Sequence, residues 1–368
     1  MEFHDFRFRD VAQLINGRAY LMPELQSEGK YKIVRVGNFT GKDEWFYSDM
    51  ELDEDKYCYK GDLLYKWACT FGPEIWKDEK TIYHYHIWKV IPKSNFSKEF
   101  LYYYLKLYTP YWLGSTNGAT MVHITKSTME NKKVFLPSYE EQCKIADILL
   151  AYDDLIENNN RRIELLEKAA QELYKEWFVR FRFPGYETAK FENGLPEGWM
   201  VMRVKDLVKR YPFGTLYKGD SILSEGKTIV IDQSANEYAG FHNNEPSHIA
   251  NIDRPIILFG DHTCKYQLMT IPFSLSENVV PFTGAEAVET TYLYYLVNGI
   301  VETTEYKRHW TEFVSKKVLV ADNKSQRLFR DKIKDKLLLI ESLKLQNRNL
   351  TKQRDLLLPR LMSGKLEV

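Results

Sequence analysis

Cysteine is scarce in this chain: four in 368 residues, at Cys58, Cys69, Cys143 and Cys264. None forms a C-x-x-C pair, so the spacing suits neither a zinc ribbon nor a disulfide framework, and a reduced, cytoplasmic setting is the expectation. Long apolar runs are missing as well. No stretch approaches the roughly 18 residues of a membrane span, and the opening MEFHDFRFRDV has no apolar core of the kind a secretory signal needs. No membrane partner is expected. Neither charge sign is in excess, with 51 Lys and Arg against 51 Asp and Glu. That balance argues against a uniformly cationic binder of nucleic acid and leaves room for local basic patches.

Signatures of catalysis are also lacking. Gly226-Lys227-Thr228 has the end of a phosphate-binding loop, but Ser221 stands where the first glycine is required. There is no G-x-G-x-x-G, no G-x-S-x-G, and no Asn-Pro-Pro or Asp-Pro-Pro tetrapeptide of the adenine methyltransferase type. His84 and His86 would share one strand face, but no third ligand stands at a sensible spacing, so no metal site is assigned. Cys58 and Cys69 read as small buried hydrophobes. No catalytic residue is assigned, and a binding or assembly role is expected rather than an enzyme.

What the chain does contain is a duplication. Phe8-Arg9-Asp10-Val11-Ala12 is similar to Val204-Lys205-Asp206-Leu207-Val208, and 101–105 to 293–296. Lys132-Lys133-Val134-Phe135 is similar to Lys316-Lys317-Val318-Leu319, and Leu155-Ile156-Glu157 to Leu339-Ile340-Glu341. The order is kept while the offset drifts from 196 to 184, which marks two halves with small insertions in one of them. Each half opens with a mixed segment. Short β-like runs at 31–36, 81–91 and 255–259 are broken by Gly, Pro and Asn. Helices are expected at 98–108 and 290–301, where Tyr102–Tyr104 and Tyr294-Tyr295 read as core.

A long helix closes each half. The first follows Leu136-Pro137-Ser138, with Ser138 and Glu141 in capping-box spacing. Its apolar seam runs Leu149, Tyr152, Ile156, Ile163, Leu166, Ala170, Leu173 and Trp177, with Asn159 in the remaining slot. The second is expected from near Ser325. Its seam is Ile333, Ile340, Leu343, Leu350, Leu357 and Leu361, with Lys336, Asn347 and Arg354 between. Residues 140–180 carry a net charge of −4 and residues 325–368 a net of +6. Opposite charge favours pairing of the two helices with each other; the alternative is that each lies on its own domain. Pro184-Gly185 and Pro196-Glu197-Gly198 lie between the halves.

Several of these stretches resemble the DNA-specificity subunits of Type I restriction–modification systems. Leu136-Pro137-Ser138-Tyr139-Glu140-Glu141-Gln142 looks like the LP-x-x-EQ opening of that family's central helix. Leu195-Pro196-Glu197-Gly198-Trp199 resembles the start of its second recognition domain, and Leu356-Leu357-Leu358-Pro359-Arg360-Leu361-Met362-Ser363-Gly364 the end of its last helix. Gly61-Asp62-Leu63-Leu64 is similar to a strand start in such domains. In the second half the LP-x-x-EQ pattern is degenerate, reading Val320-Ala321-Asp322-Asn323-Lys324-Ser325-Gln326.

The resemblance implies an α+β chain: two tandem mixed α/β target-recognition domains separated by two long helices that form an antiparallel coiled coil. The expected boundaries are 1–138 for the first domain, 139–182 for the first helix, 183–322 for linker and second domain, and 323–368 for the second helix. It further implies a non-catalytic subunit that reads a bipartite, asymmetric site in double-stranded DNA and docks two methyltransferase subunits through its helices. Motor-nuclease subunits complete the complex. S-adenosylmethionine, ATP and Mg would sit on those partners, and no cofactor on this chain.

For the reading surface, Lys and Arg suit phosphates, while amides, hydroxyls and imidazoles suit base edges. In the first domain the candidates are Lys66, Trp67, Lys77 and Lys80, then Asn117, Thr120, His123 and Lys126. In the second they are His262, Lys265, Tyr266 and Gln267, then Lys307, Arg308 and His309. The other class of function open at this point is a non-catalytic adaptor, with two protein-interaction domains on a coiled-coil rod.

Overall fold

The computed structural model describes residues 2–41, 44–114, 123–303, 305 and 307–368. In each half, the start and end of the globular segment are stitched together. His4–Arg7 pairs antiparallel with Lys133–Leu136, His4 opposite Leu136. Met200–Arg203 pairs with Lys317–Val320 in the matching register, Met200 opposite Val320. The alternation in Lys133–Leu136 turns Val134 and Leu136 into the core and leaves Lys133 and Phe135 exposed.

Two compact units result. One comprises Met1–Glu157 and Asn347–Val368, the other Asn158–Gln346. In the first, a four-stranded antiparallel sheet runs in the order Ala12–Asn16, Ile87–Pro92, Leu63–Lys66, Gly72–Ile75. A second sheet runs Phe46–Ser48, Tyr31–Val34, Thr81–Tyr83, Tyr57–Cys58, with its middle pair parallel. The second unit repeats the first sheet as Val208–Arg210, Val279–Gly284, Ile256–Gly260, Tyr266–Met269. It repeats the other as Gly240–His242, Thr228–Ile231, Phe273–Leu275, again with one parallel pair. The duplication is thus a duplication of topology, down to the unusual parallel step, although Tyr57–Cys58 has no counterpart strand in the second unit.

One sequence expectation changes here. The run 81–91 is two strands in two different sheets, Thr81–Tyr83 and Ile87–Pro92, joined by a turn. The helix expected at 98–108 extends through Pro110 as Lys98–Gly114, whereas its counterpart is short, Thr290–Val297. Phe100, Leu101, Tyr103, Tyr104 and Leu105 of the former enter the first core, and Tyr292, Leu293, Tyr295 and Leu296 of the latter enter the second.

The first long helix, Tyr139–Tyr174, starts on the reciprocal Ser138–Glu141 box: the Ser138 amide donates to the Glu141 carboxylate at 3.2 Å, and the Glu141 amide to the Ser138 hydroxyl at 3.4 Å. The second, Asn323–Met362, begins two residues before Ser325 because Asp322 caps it, accepting from the Ser325 amide at 3.0 Å. Behind both caps lies the same device. Gln142 and Gln326 are each 1% exposed. Gln142 donates to the Pro137 carbonyl at 2.9 Å and accepts from the Ser97 amide at 3.0 Å. Gln326 donates to the Ala321 carbonyl at 2.8 Å and accepts from the Glu289 amide at 3.0 Å.

Both units contain part of the helix pair, and in both it is antiparallel. In the first unit Leu149 packs in a core with Leu358 and Leu361, with Leu357 at its margin, and the Arg354 guanidinium pairs with Asp153, which also accepts from the Tyr103 hydroxyl at 2.6 Å. In the second, Ile163 packs on Ile340 and Leu343, flanked by Leu166 and Leu337. There the exposed amide of Gln346, next to the expected seam position Asn347, accepts from Asn159, 5% exposed, at 3.0 Å. Ile333 is in the second core and Leu173 at its edge, while Ile156 and Leu350 are half-buried. The excess base of the second helix is directed differently from the expected helix-to-helix attraction. Lys334 pairs with Asp253 at 2.5 Å, Arg330 with Glu289 at 3.0 Å and Lys344 with Glu237 at 3.4 Å. These acids belong to the second globular segment.

Pro137 and Ala321 occupy equivalent places, and the difference has a structural answer. Pro137 has no amide hydrogen. Ala321 has one, and it donates to the buried Tyr292 hydroxyl at 3.1 Å, where the first half has Phe100. Tyr292→Phe should orphan that buried amide and lower stability by about 1–3 kcal/mol. Adding Ala321→Pro should recover most of the loss by removing the donor. Urea unfolding of the two single variants and the double variant reads this directly, and an additive double variant would break the assignment.

Candidate nucleic-acid interface

The candidate segments, far apart in sequence, meet at the same edge of each unit. In the first, the Trp67 amide donates to the His86 carbonyl at 3.1 Å, the Ile124 amide donates to the Trp67 carbonyl at 3.2 Å, and Ala68 bridges to His123. In the second, the Asp261 amide donates to Asn278 at 2.8 Å and the His309 amide donates to Asp261 at 2.8 Å. The His262 Nδ1 lies 3.1 Å from the Lys307 carbonyl. A strand end, a turn and the approach to a short helix therefore form one edge, built twice by equivalent backbone hydrogen bonds.

The side chains at that edge divide into surface and core. Lys66 is buried and held by Glu74 at 2.7 Å across the hairpin, with Phe39 under its ammonium, so it is a structural ion pair and not a phosphate contact. Trp67 donates to the Tyr85 carbonyl at 2.8 Å and stacks on Trp88 with centroids 5.7 Å apart, so it supports the edge from behind. Lys77 and Lys80 lie at the opposite end of the sheet, because the hairpin reverses between Lys66 opposite Gly72 and Leu63 opposite Ile75. Lys77 there pairs with Glu157 at 2.6 Å, and Lys80 sits 3.9 Å over the Tyr57 ring. His123 is exposed at the edge, and Lys126 lies 3.7 Å from Glu130. Asn117 and Thr120 lie outside the described residues.

In the second unit Tyr266 is a core residue, its ring 5.1 Å from Phe259 and 5.8 Å from Phe313, and burial pushes its phenol far up. His309 is 0% exposed, its Nε2 3.2 Å from the Glu305 carbonyl. His309, the residue just before the helix Trp310–Ser315, is sealed from solvent, and the Tyr266 ring packs on Phe313 of that helix, so both act as structural residues of the edge. Lys265 bonds the Asn236 carbonyl, and burial lowers its pKa. Gln267 donates to Glu237 at 3.1 Å. Arg308 is the open cation of the set, 76% exposed and 3.8 Å from Asp261, with Lys307 3.6 Å from Glu305 beside it.

Reading 81–91 as a single strand hid the turn at 84–86. It puts three polar aromatic side chains, half-buried, beside Trp67: His84 and His86 centroids are 5.0 Å apart, and Tyr85 lies 3.9 Å from His86. Burial lowers the pKa of His84 to about 4, helped by His86 and Arg35, and burial also lowers His86. Both imidazoles are therefore neutral at pH 7, each with one donor and one acceptor. Among the described residues no group of three or more His, Cys, Asp or Glu is arranged to hold a metal, and no helix is long and apolar enough to cross a membrane.

Comparison with known proteins bears on this edge. Residues 1–168 match the family model described as the Type I restriction modification DNA specificity domain. The MjaIX specificity subunit of a Type I restriction enzyme of Methanocaldococcus jannaschii is 39% identical over 126 residues, 33% of this chain and 29% of that one. The MjaVIII specificity subunit of the same organism is 32% identical over 176 residues, 47% of this chain and 41% of that one. The chain thus spans less than half the length of these curated relatives. A crystal structure of a Type I restriction–modification system S subunit from M. genitalium superposes with a TM-score of 0.59 at 15% identity, over 98% of this chain and 96% of that one. At that identity the likeness is one of fold.

The neutral His84 sets a pH dependence. An ordinary histidine in the unfolded chain takes up its proton below about pH 6.5, whereas folded His84 resists until about 4. Protons therefore favour the unfolded state, and stability should fall as pH drops from about 6.5 towards 4. His84→Gln should flatten that slope in urea titrations between pH 7.5 and 5, relative to the parent chain. An unchanged slope would show that His84 is not buried as described.

Proposed function

We propose, from the match of residues 1–168 to the Type I restriction modification DNA specificity domain, that this chain determines the DNA target of a Type I restriction–modification complex. The carrying observation is the edge that the fold builds twice with the same backbone bonds and different side chains. Two such edges on one chain suit a target in two unlike halves, as paired readers in a symmetric dimer suit a palindrome. The neutral overall charge is compatible with this, because phosphate binding depends on local cations such as Arg308 and Lys307.

The helices are the docking surface for methyltransferase subunits. Leu155 and Leu356 in the first unit, and Leu165, Leu338 and Leu345 in the second, point outward from the seam and are exposed. Exposed apolar side chains on each helix suit a protein partner. Methyl transfer and DNA cleavage belong to partner subunits, which carry S-adenosylmethionine, ATP and Mg, and this chain contributes no catalytic group.

Sequencing of methylated bases in cells carrying the complete system should return one split motif with unspecified base pairs between its halves. The assembled complex should bind that motif with an affinity that falls steeply with salt, log K against log[salt] having a slope of roughly −0.9 per phosphate contacted. Arg308→Ala should make the slope shallower by about one contact, and Lys66→Met should leave it unchanged. Absence of any salt-dependent DNA binding with the methyltransferase partner present would reject the function and favour a protein-binding adaptor.

A further inference from the structure

The two edges share a frame to the level of single hydrogen bonds. The His84 amide donates to Val34 at 3.0 Å, and the Ser276 amide to Ile231 at 2.8 Å. The Arg18 amide donates to Tyr83 at 3.1 Å, and the Tyr217 amide to Leu275 at 3.0 Å. With the Trp67–His86 and Asp261–Asn278 bonds, these place the turns 84–86 and 276–278 at the same point of the two units. The local backbone differs at the last residue, where Asn278 takes φ 60°, a conformation asparagine tolerates better than most.

Within that frame the chemistry is opposite. His84, Tyr85 and His86 make an uncharged aromatic surface, with ring centroids 3.9 to 5.0 Å apart. The edge of Trp67 meets His86 with centroids 5.0 Å apart, so the patch is braced from behind. Ser276, Glu277 and Asn278 make a small, polar, acidic surface instead. Glu277 is exposed and paired with Lys218. No backbone bond of the frame depends on the side chains of 85, 86 or 277, so the main chain keeps its course whatever side chains stand at these positions.

We infer that the turns 84–86 and 276–278 are base-reading elements, each setting base preference within one half of the target. This rests on the DNA-reading function proposed above. A neutral imidazole offers one donor and one acceptor to a base edge, and a carboxylate offers only acceptors, which suit the exocyclic amino group of cytosine or adenine in the major groove. The two turns therefore call for different base pairs, and the unlike halves of the target follow from them.

The test uses the complete complex and sequencing of methylated bases, with His86→Ala and Glu277→Ala as separate variants. His86→Ala should lower discrimination roughly ten- to hundred-fold at one base pair of one half-site, with the other half-site and the gap between them unchanged. Glu277→Ala, at an exposed position with little consequence for folding, should do the same in the opposite half-site. Either variant leaving both half-sites as they were, or one variant changing both, would overturn the inference while the parent complex still reads a split motif. A parent complex that methylates no split motif would overturn the function itself, and this inference with it.

Discussion

Two buried amides hold the architecture. Gln142 and Gln326 each sit one turn inside a long helix and close two backbone groups that would otherwise be stranded. One is the carbonyl just before the helix; the other is the amide at the start of the aromatic helix packed beside it. A buried polar group left unpaired costs on the order of 1–3 kcal/mol, so each glutamine fixes the angle between its long helix and its domain by making other angles expensive. An apolar residue at either place would fill the volume and lose the angle. The stitched strand pairs, His4–Arg7 with Lys133–Leu136 and Met200–Arg203 with Lys317–Val320, end directly at these junctions. The edge at 67–86 and its twin at 261–278 are positioned through the same cores.

Features that depend on local spacing were legible in the sequence. The duplication, both long helices, the Ser138–Glu141 cap and most of the seam follow from periodicity and capping chemistry, which need no knowledge of distant contacts. Features that depend on strand register were not. Lys66 looked like a free cation because its partner Glu74 comes opposite it only once the hairpin is in register. His309 and Tyr266 suited a reading surface by residue type because the short helix that begins after the one and packs on the other could not be seen in six residues of sequence. The turn at 84–86 vanished inside an alternating run, since a run split between two sheets has the same pattern as one long strand. The edge itself was half visible. Its segments could be chosen by composition, but their convergence is a consequence of sheet order.

Charge shows the same division between local and tertiary information. Opposite net charges on the two helices pointed to mutual attraction, and the pairing between Asp153 and Arg354 fits that reading. Yet Arg330, Lys334 and Lys344 are bound to Glu289, Asp253 and Glu237 of the second globular segment. Exposed ion pairs of this kind contribute little individually. Their effect is to specify which face of the helix meets the domain, while the seam itself is set by Ile163, Ile340 and Leu343 and by the Asn159–Gln346 hydrogen bond. The buried Asn159 amide favours the register in which it finds its partner.

The two halves then show where a duplicated fold is free to diverge. At the helix junction, Ala321 has a backbone donor that Pro137 lacks, and Tyr292, where the first half has Phe100, supplies its acceptor. Divergence there came as a compensated pair because a buried hydrogen-bonding group was at stake. At the turns 84–86 and 276–278 the frame is carried by main-chain bonds, so aromatic rings in one half and a carboxylate in the other fit the same frame, with Trp67 behind the rings and Asp261 in its place in the second unit. Backbone bonds that ignore side-chain identity are what allow a reading surface to vary while the fold beneath it stays fixed. In the two-half-site function proposed above, one repeated fold needs that separation, and the separation lies at the edge where the strand end, the turn and the approach to the short helix meet.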